Sequence, residues 1–227
     1  MFGRISDGAA YNADRITFFN APALVNGAST KIPVNEVKQL EGGVKWRSNG
    51  LSVFATLFLA RTDEINVDPT TTPVKVTTNK YSSKGVELEV AYKLGIVKLQ
   101  GGMTYTDAQI TQSSNAALVG RTPKRQAKIV YQLTPSASLG DSAVVGASIV
   151  GTTSSKDDGP TGPLSITLPA YMTVNAFASY ALTSQVSVSM AVNNLLDKIG
   201  YTESNDGRGA ARSINGRTAK ATLKYNF

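Results

Sequence analysis

The chain of 227 residues contains neither cysteine nor histidine. Without cysteine it can form no disulfide, no thiolate metal site and no cysteine nucleophile. Without histidine it lacks the usual general base, the Ser-His-Asp arrangement and most zinc sites. No carboxylate or Ser-Lys constellation replaces them. The composition therefore argues against an enzyme and predicts no cofactor.

Long hydrophobic runs are also missing. No stretch approaches the roughly 18 consecutive apolar residues of a spanning helix. The hydrophobic fraction of 41% and the mean hydropathy of −0.10 suit a soluble protein. A membrane β-barrel escapes both tests, because its lipid-facing residues alternate with polar residues that face the lumen. Composition leaves both classes open, and the residue pattern has to decide.

The net charge is +7, with 23 Lys and Arg against 16 Asp and Glu. A basic balance of this size can indicate a nucleic-acid surface. The cations are scattered, however, and no aromatic residues cluster with them to stack on bases. Basic residues in a lumen and in loops account for the charge, so no nucleic-acid partner is predicted.

The last ten residues alternate strictly between apolar and polar side chains. Successive side chains of a strand point to opposite faces, so this segment has one apolar and one polar face. The apolar face carries Ala219, Ala221, Leu223, Tyr225 and Phe227, and the polar face carries Thr218, Lys220, Thr222, Lys224 and Asn226. In a soluble sheet the apolar face would cover a core, but no helical period elsewhere supplies a layer to pack on it.

The same alternation recurs and predicts nine strands. They are Val34–Arg47, Leu51–Thr62, Lys80–Lys93, Ile96–Thr106, Lys124–Thr134, Ala143–Thr152, Ala170–Leu182, Gln185–Asn193 and Ile214–Phe227, with Met1–Ser6 as the stub of a possible tenth. Their connections alternate between short turns, such as Ser48-Asn49-Gly50, and long polar segments, which are Asp63–Asn79, Asp107–Thr122, Thr153–Leu168 and Leu195–Ser213. Membrane barrels sort short and long connections to opposite rims in this way, whereas a soluble sandwich has no reason to do so.

The pattern therefore predicts an all-β fold, an antiparallel transmembrane β-barrel. The chain would form part of it, about nine to ten strands of a larger barrel, while a soluble sandwich, a jelly roll and other all-β folds remain alternatives. With Phe227 on the periplasmic side, residues 1–33 are expected to be an extracellular loop with a possible strand stub, and 34–227 the barrel segment.

Individual side chains agree with a membrane setting. Glu87 and Glu89 share one face of a central strand, which argues for a wet interior. Four tyrosines lie near strand ends on the predicted outward face, where interfacial girdle residues are expected: Tyr92, Tyr105, Tyr180 and Tyr225. Rim packing in a sandwich is the alternative explanation for these tyrosines.

Six segments in order resemble the carboxy-terminal part of TonB-dependent outer-membrane receptors. They are Val37–Lys45 with its Glu-x-Gly-x-Lys-like spacing, Phe58–Asn66, Tyr81–Glu89 with Tyr-x-x-x-Gly-x-Glu-x-Glu, Gly101–Asp107, Leu168–Asp197 ending in Asn-Leu-x-Asp, and Gly216–Phe227. Each motif alone is weak, but their order makes the resemblance specific. It covers the chain from about Pro33 to Phe227.

The resemblance implies a function and a set of partners. Such receptors resemble a 22-stranded barrel filled by a plug, preceded by a box that engages TonB, and they take up siderophore-bound iron or another nutrient. Implied partners are outer-membrane lipid, the β-barrel assembly machinery, the TonB system acting through the plug, and the iron chelate or other ligand. This chain shows no plug-like segment or TonB box, and Met1–Gly8 lacks the pattern of a secretory signal. We therefore expect it to be incomplete.

Candidate site residues follow from the predicted loops. Arg121, Arg208 and Arg212 lie in or beside them and can attract an anionic chelate, with plain solvation as the simpler explanation. The terminal Leu223, Tyr225 and Phe227 resemble the assembly signal of outer-membrane proteins. A turn-capping role is favoured over metal binding for Asn193, Asn194 and Asp197. The segment Asp157–Gly159 lacks the spacing of a calcium loop and is predicted to be a plain loop.

Other functions remain open. A self-contained small barrel could act as an adhesin or anchor, and a signal directly upstream of Met1 would favour it. An outer-membrane enzyme is disfavoured by the missing histidine. A soluble carbohydrate-binding sandwich would be excluded by a need for detergent. Because an open sheet leaves two unpaired edges, we expect that the isolated chain does not insert as a stable pore.

Overall fold

The computed structural model describes residues 1–11, 34–68, 75–204 and 211–227. These residues form fourteen strands and one 3-10 turn, Ala116–Leu118. The strands are β1 Phe2–Tyr11, β2 Val34–Ser48, β3 Leu51–Asp68, β4 Lys75–Leu94, β5 Val97–Gln112, β6 Ile129–Leu139, β7 Ala143–Thr152, β8 Ser155–Gly159, β9 Gly162–Leu168, β10 Tyr171–Ala181, β11 Val186–Asn193, β12 Tyr201–Ser204, β13 Ala211–Ser213 and β14 Thr218–Tyr225. Within the described ranges, no helix is both long enough and apolar enough to cross a membrane.

Ten of the strands form a single antiparallel sheet. Its order is β1-β2-β3-β4-β5-β6-β7-β10-β11-β14, and two separate hairpins, β8–β9 and β12–β13, are inserted into its connections. No pairing closes β1 onto β14 in the part of the chain that is described, so the sheet is open. The prediction of a partial barrel with about nine to ten strands is confirmed, and β1 is the tenth strand.

Short and long connections lie at opposite rims of the sheet. One rim, the turn rim, carries the connection Asn49-Gly50, whose φ angles of 46° and 79° are those of a type I′ turn. It also carries the short connections at 95–96, 140–142 and 182–185. All longer connections emerge at the other rim, the loop rim. The predicted alternation is therefore present in the structure.

The strand register carries the apolar alternation across the whole sheet. Leu88 lies opposite Ala55 on one side and Met103 on the other, and Val188 lies opposite Leu223. We call this the outer face. Glu89 lies opposite Phe54 and Glu87 opposite Thr56 on the inner face. The four predicted girdle tyrosines fall on the outer face by the same register.

No protein layer covers the outer face among the described residues. Leu57 and Leu223 are 65% and 70% exposed. The buried apolar side chains of the described chain are only Ala108, Ile110, Leu164 and Leu168. A soluble sandwich would bury one face of each sheet against the other. The outer face therefore has the character expected of a surface in contact with lipid.

Several predicted boundaries are wrong at the loop rim. Strand β5 ends at Gln112 instead of Thr106, and β14 begins at Thr218 instead of Ile214. The segment Asp63–Asn79 was expected to be a polar connection, but Asp63–Asp68 pairs with Lys75–Lys80 and prolongs β3 and β4 to 18 and 20 residues. A barrel strand needs only about 9–11 residues to span the membrane. The paired polar residues, including the ion pair of Asp63 and Lys80 at 2.9 Å, extend this hairpin beyond the apolar band.

The predicted strand Lys124–Thr134 is also shifted. The observed strand β6 begins at Ile129 and continues through Pro135 to Leu139. Proline has no N–H to donate, and the ladder to β7 is interrupted at Thr134 and Pro135 before it resumes at Ser136. The predicted loops Thr153–Leu168 and Leu195–Ser213 are wrong in detail as well, because each contains a short hairpin.

Four cross-strand pairs join an aromatic ring to a glycine. They are Phe2 with Gly43, Phe58 with Gly85, Tyr131 with Gly151 and Phe177 with Gly146. A Cβ added at Gly85 would collide with the Phe58 ring and with the Tyr105 carbonyl oxygen. The glycine lets the ring lie flat on the sheet, an arrangement that helps to fix strand register.

We predict that Gly85→Ala destabilises the sheet by about 1–3 kcal/mol, because backbone as well as ring must shift. Gly101→Ala is the matched control, since the nearest atom to its added Cβ is the flexible Leu133 Cδ1 at 3.2 Å. Urea unfolding of the protein, in the length its gene encodes and reconstituted in lipid vesicles, measures both. Equal losses for the two variants would contradict this account of Gly85.

Candidate ligand-facing loop site

Three connections of the loop rim meet around one arginine. The connection between β5 and β6 supplies Lys124 and Arg125, the hairpin β8–β9 supplies Asp157 and Asp158, and the hairpin β12–β13 supplies Glu203, Ser204 and Arg212. We call these seven residues the loop cluster. The hairpins that carry its acidic members are inserts in long connections, so the sheet itself does not fix their positions.

Arg125 bridges the two hairpins with one guanidinium group. Its Nε donates to Asp157 Oδ2 at 2.9 Å, and its Nη2 lies 2.8 Å from Glu203 Oε1. Its backbone N–H donates to the Lys156 carbonyl oxygen at 2.7 Å. Because a planar guanidinium presents its donors in a fixed fork, these contacts set the relative position of the two hairpins.

Asp157 is the buried centre of the loop cluster, with 0% exposure. Its Oδ2 accepts the Ser204 N–H at 2.7 Å in addition to the Arg125 bond, and its Oδ1 accepts the Asp158 N–H at 2.9 Å. Burial alone would raise the pKa of this carboxyl, but the Ser204, Arg125 and Asp158 donors outweigh burial and lower the pKa. The carboxylate is therefore ionised, and both of its oxygens accept hydrogen bonds.

Asp158 and the backbone complete the cluster. The Asp158 Oδ2 lies 3.1 Å from Lys124 Nζ, and its Oδ1 accepts the Leu164 N–H at 3.1 Å. Arg125 and Leu164 have φ angles of 61° and 56°. Such left-handed conformations cost on the order of 1–3 kcal/mol each and persist where surrounding contacts over-determine them. The contacts of the loop cluster thus hold these loops in one defined conformation.

Of the three predicted ligand-binding arginines, one belongs to the loop cluster, one is exposed outside it, and one is not described. Arg212 belongs to the loop cluster: its Nη1 lies 3.3 Å from Glu203 Oε2, and its side chain is 82% exposed. Arg121 is an exposed residue whose carbonyl accepts the Ile110 N–H, and its side chain has no ion pair within the described residues. Arg208 lies outside the described residues.

Sequence reasoning missed the two central residues of the cluster. Asp157–Gly159 was expected to be a plain loop, and this is wrong: Ser155–Gly159 is strand β8, with a buried carboxylate. Arg125 was assigned to a strand and was not singled out. The neighbouring Lys124-Arg125 and Asp157-Asp158 pairs offered a weak charge signal, but Arg125 and Asp157 are 32 positions apart in the sequence.

The turn-capping prediction for the exit from β11 is confirmed for Asn194 and Asp197, whereas Asn193 lies in β11 opposite Thr218 of β14. Asn194 is buried, and its side-chain amide donates to the carbonyls of Lys198 and Asn215 at 2.8 and 3.0 Å. Its Oδ1 accepts the Lys198 N–H at 2.9 Å. Asp197 Oδ1 accepts the Arg217 N–H, and Asn193 donates to the Thr218 hydroxyl. These bonds tie the start of the last long connection to its end.

We predict that Asp157→Asn loosens both hairpins while leaving the sheet intact, because it removes the charge that Arg125 and Ser204 compensate. The free energy of local opening should fall by about 1.5–3 kcal/mol, which is the usual contribution of a hydrogen bond to a charged group. Hydrogen exchange of residues 155–168 and 201–204 measures it. Asp141→Asn, at an exposed turn of the other rim, is the control. Unchanged exchange in the Asp157 variant would contradict the bridging role.

The lowered pKa of Asp157 predicts how the local opening of the two hairpins depends on pH. A carboxyl whose pKa is lowered in the folded state contributes its full stability at every pH above its pKa in the unfolded state, about 3.9. That stability is lost as the pH falls through its pKa in the folded state. Exchange at the Ser204 amide, corrected for the intrinsic rate, should therefore be constant from about pH 8 to pH 5. Opening of the hairpins within that interval would show that another group controls them.

Comparisons with known proteins agree with this architecture. Residues 14–195 match the family model described as TonB dependent receptor-like, beta-barrel. The chain is 28% identical over 178 residues to the metal-pseudopaline receptor CntO of Pseudomonas aeruginosa, covering 75% of this chain and 25% of the relative. It is 23% identical over 232 residues to the probable TonB-dependent siderophore receptor PiuA of Acinetobacter baumannii, covering 89% of this chain and 28% of PiuA.

Solved structures show the same fold. The structure of PiuA from Acinetobacter baumannii is 21% identical with a TM-score of 0.72, over 98% of this chain and 33% of that one. The ferric-catecholate import receptor Fiu of E. coli gives a TM-score of 0.75 at 18% identity, over 99% and 32%. The chain thus spans about a quarter to a third of the relatives that it matches. It belongs to the TonB-dependent receptor family and forms part of the family's outer-membrane β-barrel in Gram-negative bacteria.

Proposed function

We propose that the chain is the carboxy-terminal barrel portion of a receptor for active uptake of a siderophore–iron complex or another scarce nutrient. The loop cluster supports this most, because its ion pairs join charged loops on one rim of a membrane barrel. The relatives are named as receptors for metal-pseudopaline and siderophores, and a copper transporter, OprC, shares the fold with a TM-score of 0.74.

In this proposal the loop rim is extracellular and forms part of the ligand mouth, to which the connection between β1 and β2 also belongs. The bridge from Arg125 to Asp157 and Glu203 would hold two hairpins ready before ligand arrives, which lowers the entropy lost on binding. Exposed cations at this rim would attract an anionic chelate. Arg121, Arg208 and Arg212 are the proposed attracting residues.

The remaining partners follow from the same architecture. The TonB system would act through a plug inside the complete barrel, against the inner face. The assembly machinery would recognise Leu223, Tyr225 and Phe227 at the end of β14. In support, β14 pairs only with β11 in the described sheet, and the rings of Tyr225 and Phe227 meet edge to face at 5.0 Å. No observation favours the alternative of a small adhesin or anchor.

Uptake in cells tests the proposal. The gene that encodes this chain, in whatever length it specifies, is expressed in a Gram-negative strain lacking its other metal-chelate receptors, with and without TonB. We expect growth on at least one chelate of a siderophore panel or on another limiting nutrient, dependent on both the gene and TonB. Accumulation of the nutrient that is independent of TonB, or insensitive to deletion of the gene, would overturn the proposal.

We further predict that Arg121→Gln combined with Arg212→Gln lowers uptake about fivefold at limiting ligand and leaves it unchanged at saturation, because long-range attraction acts on encounter. Raising the ionic strength should shrink the difference. Arg47→Gln combined with Lys98→Gln removes two cations near the turn rim and serves as the control. An equal loss in the control would assign the effect to net charge alone.

A further inference from the structure

Four neighbouring strands of the sheet, β6, β7, β10 and β11, contain no charged residue on either face. The next strand, β14, adds two lysines to the inner face, Lys220 opposite Ala191 and Lys224 opposite Ser187. The inner face of these five strands therefore carries positive charge and no carboxylate. We call it the carboxylate-free wall.

Uncharged hydrogen-bonding groups cover the rest of the carboxylate-free wall. The Thr134 hydroxyl donates to the Ser148 hydroxyl at 3.3 Å, and Ser148 lies opposite Asn175. Further along, the Asn193 amide donates to the Thr218 hydroxyl at 3.3 Å. Such groups exchange hydrogen bonds with water or with a passing molecule, and passage requires binding that is weak enough to be released. The wall is polar, and nothing on its first four strands can form an ion pair.

The inner face of β1 to β5 is different, because it carries charges of both signs. Glu41 lies 3.8 Å from Arg4, whereas Glu87 and Glu89 are exposed and have no ion pair within the described ranges. An anion that moved along this face would be repelled by the carboxylates and held by the cations. Among the described side chains, its carboxylates are Glu41, Glu64, Glu87 and Glu89, and its cations are Arg4, Lys45, Arg47, Lys93 and Lys98.

The loop cluster lies at the loop ends of the carboxylate-free wall. Hairpin β8–β9 connects β7 to β10, hairpin β12–β13 connects β11 to β14, and Arg125 precedes β6. The exposed cation Arg212 therefore lies at the loop end of this wall. Lys220 and Lys224 follow toward the turn rim, about 13 Å apart at the usual rise of a strand. Positive charge thus extends from one rim to the other on this side.

The carboxylates of the same half lie only in connections or at the chain terminus, as far as the structure describes them. Those of the loop cluster are paired with cations, and Asp197 accepts the Arg217 N–H at 2.9 Å. Asp141 and the terminal carboxylate of Phe227 lie at the turn rim, beyond the strands. None of them faces the lumen between the two rims.

We propose that the carboxylate-free wall lines the path of the transported nutrient through the barrel, and that this nutrient is an anion, such as a negatively charged metal chelate. A cleft lined by one sign of charge concentrates the opposite charge, and the uncharged groups between the cations release it again. The inner face of β1 to β5 is not on the path, because its mixed charges suit a partner that stays in place. The inference rests on the proposed function and adds the side of the barrel and the charge of the nutrient.

Labelling of single cysteines in cells tests the path. Residues 1–227 contain no cysteine, so Ser189→Cys marks the carboxylate-free wall and Thr104→Cys marks the inner face of β5, in the protein of the length its gene encodes with any other cysteine replaced by serine. The probes are an anionic sulfonate and a cationic trimethylammonium methanethiosulfonate of similar size, added with and without TonB. We expect TonB to raise the rate of the anionic probe at least about fivefold at Ser189→Cys and less than about twofold at Thr104→Cys.

The labelling has outcomes that contradict the path and others that contradict the charge. An equal rise at both positions, a rise at Thr104→Cys alone, or no rise at all would overturn the path. With rates corrected for reaction with a free thiol, the anionic probe should react faster than the cationic one at Ser189→Cys. Equal corrected rates there would overturn the assignment of an anionic nutrient.

Added carboxylates provide a second arm, which measures transport. Asn175→Asp/Ser189→Asp places two carboxylates on the carboxylate-free wall, Ser189→Asn is the uncharged match, and Ser83→Asp/Thr104→Asp places two on the inner face of β4 and β5. The probes are radiolabelled iron complexes of citrate and of a tris-catecholate, both anionic. TonB-dependent uptake at saturation should fall about tenfold in the first variant and stay within about twofold in the others, with surface binding unchanged in all three.

An equal loss of uptake in Ser189→Asn or in Ser83→Asp/Thr104→Asp would overturn the proposal. Assembly of each variant is judged by heat-modifiable mobility, and if the first variant fails to assemble, Ser189→Asp alone should still lower uptake about threefold. If the original protein takes up neither complex, the labelling arm still decides the path, because it requires no nutrient. Failure of this inference is therefore distinguishable from failure of the proposed function.

Discussion

The structure depends on one constraint: among the described residues, no protein layer covers the outer face. Side chains such as Leu57, Val188 and Leu223 gain nothing by facing water and meet no second sheet in the described chain. Hydrocarbon satisfies them, but it offers no partner to a backbone N–H or C=O. Every strand within the bilayer must therefore be paired on both sides, as the eight strands between β1 and β14 in the ten-stranded sheet are.

The same constraint makes the two open edges of the sheet unfavourable in a membrane. β1 and β14 each present an edge that lipid does not tolerate. The matched relatives are three to four times longer than this chain, which spans 25–28% of CntO and PiuA. Further strands between these edges would satisfy both, and aromatic–glycine pairs such as Phe58 with Gly85 would hold the register of the part seen here.

Features that follow from short-range pattern were predictable. The strict alternation of Val186–Asn193 and Thr218–Tyr225, and the Asn49-Gly50 turn, depend on neighbouring residues and are found as expected. The extension of β3 and β4 was not predicted, because the many charged and polar residues of Asp63–Asn79 and its two prolines indicate a connection. The shift of β6 was not predicted either, because the sequence does not show that Pro135 lies within the strand, where the ladder to β7 is interrupted.

The loop cluster lay beyond prediction for a different reason. Arg125 and Asp157 are joined by packing of two inserted hairpins, and no local periodicity encodes a contact over 32 residues. Arg212 was chosen for its charge and is found in the cluster, but its partner Glu203 was not anticipated. Charge in a loop indicates where a site can lie, whereas the pairing that shapes it requires the fold.

Contact between the outer face and acyl chains tests the central claim most directly. A nitroxide label at Leu57, Val188 or Leu223 in the membrane-reconstituted protein, compared with one at the inner-face Glu87, reports access to lipid-soluble oxygen and to a water-soluble nickel chelate. The account predicts high oxygen and low chelate access at the three outer positions. Low access to both at Leu57, Val188 and Leu223, the signature of burial against a second protein layer, would contradict it.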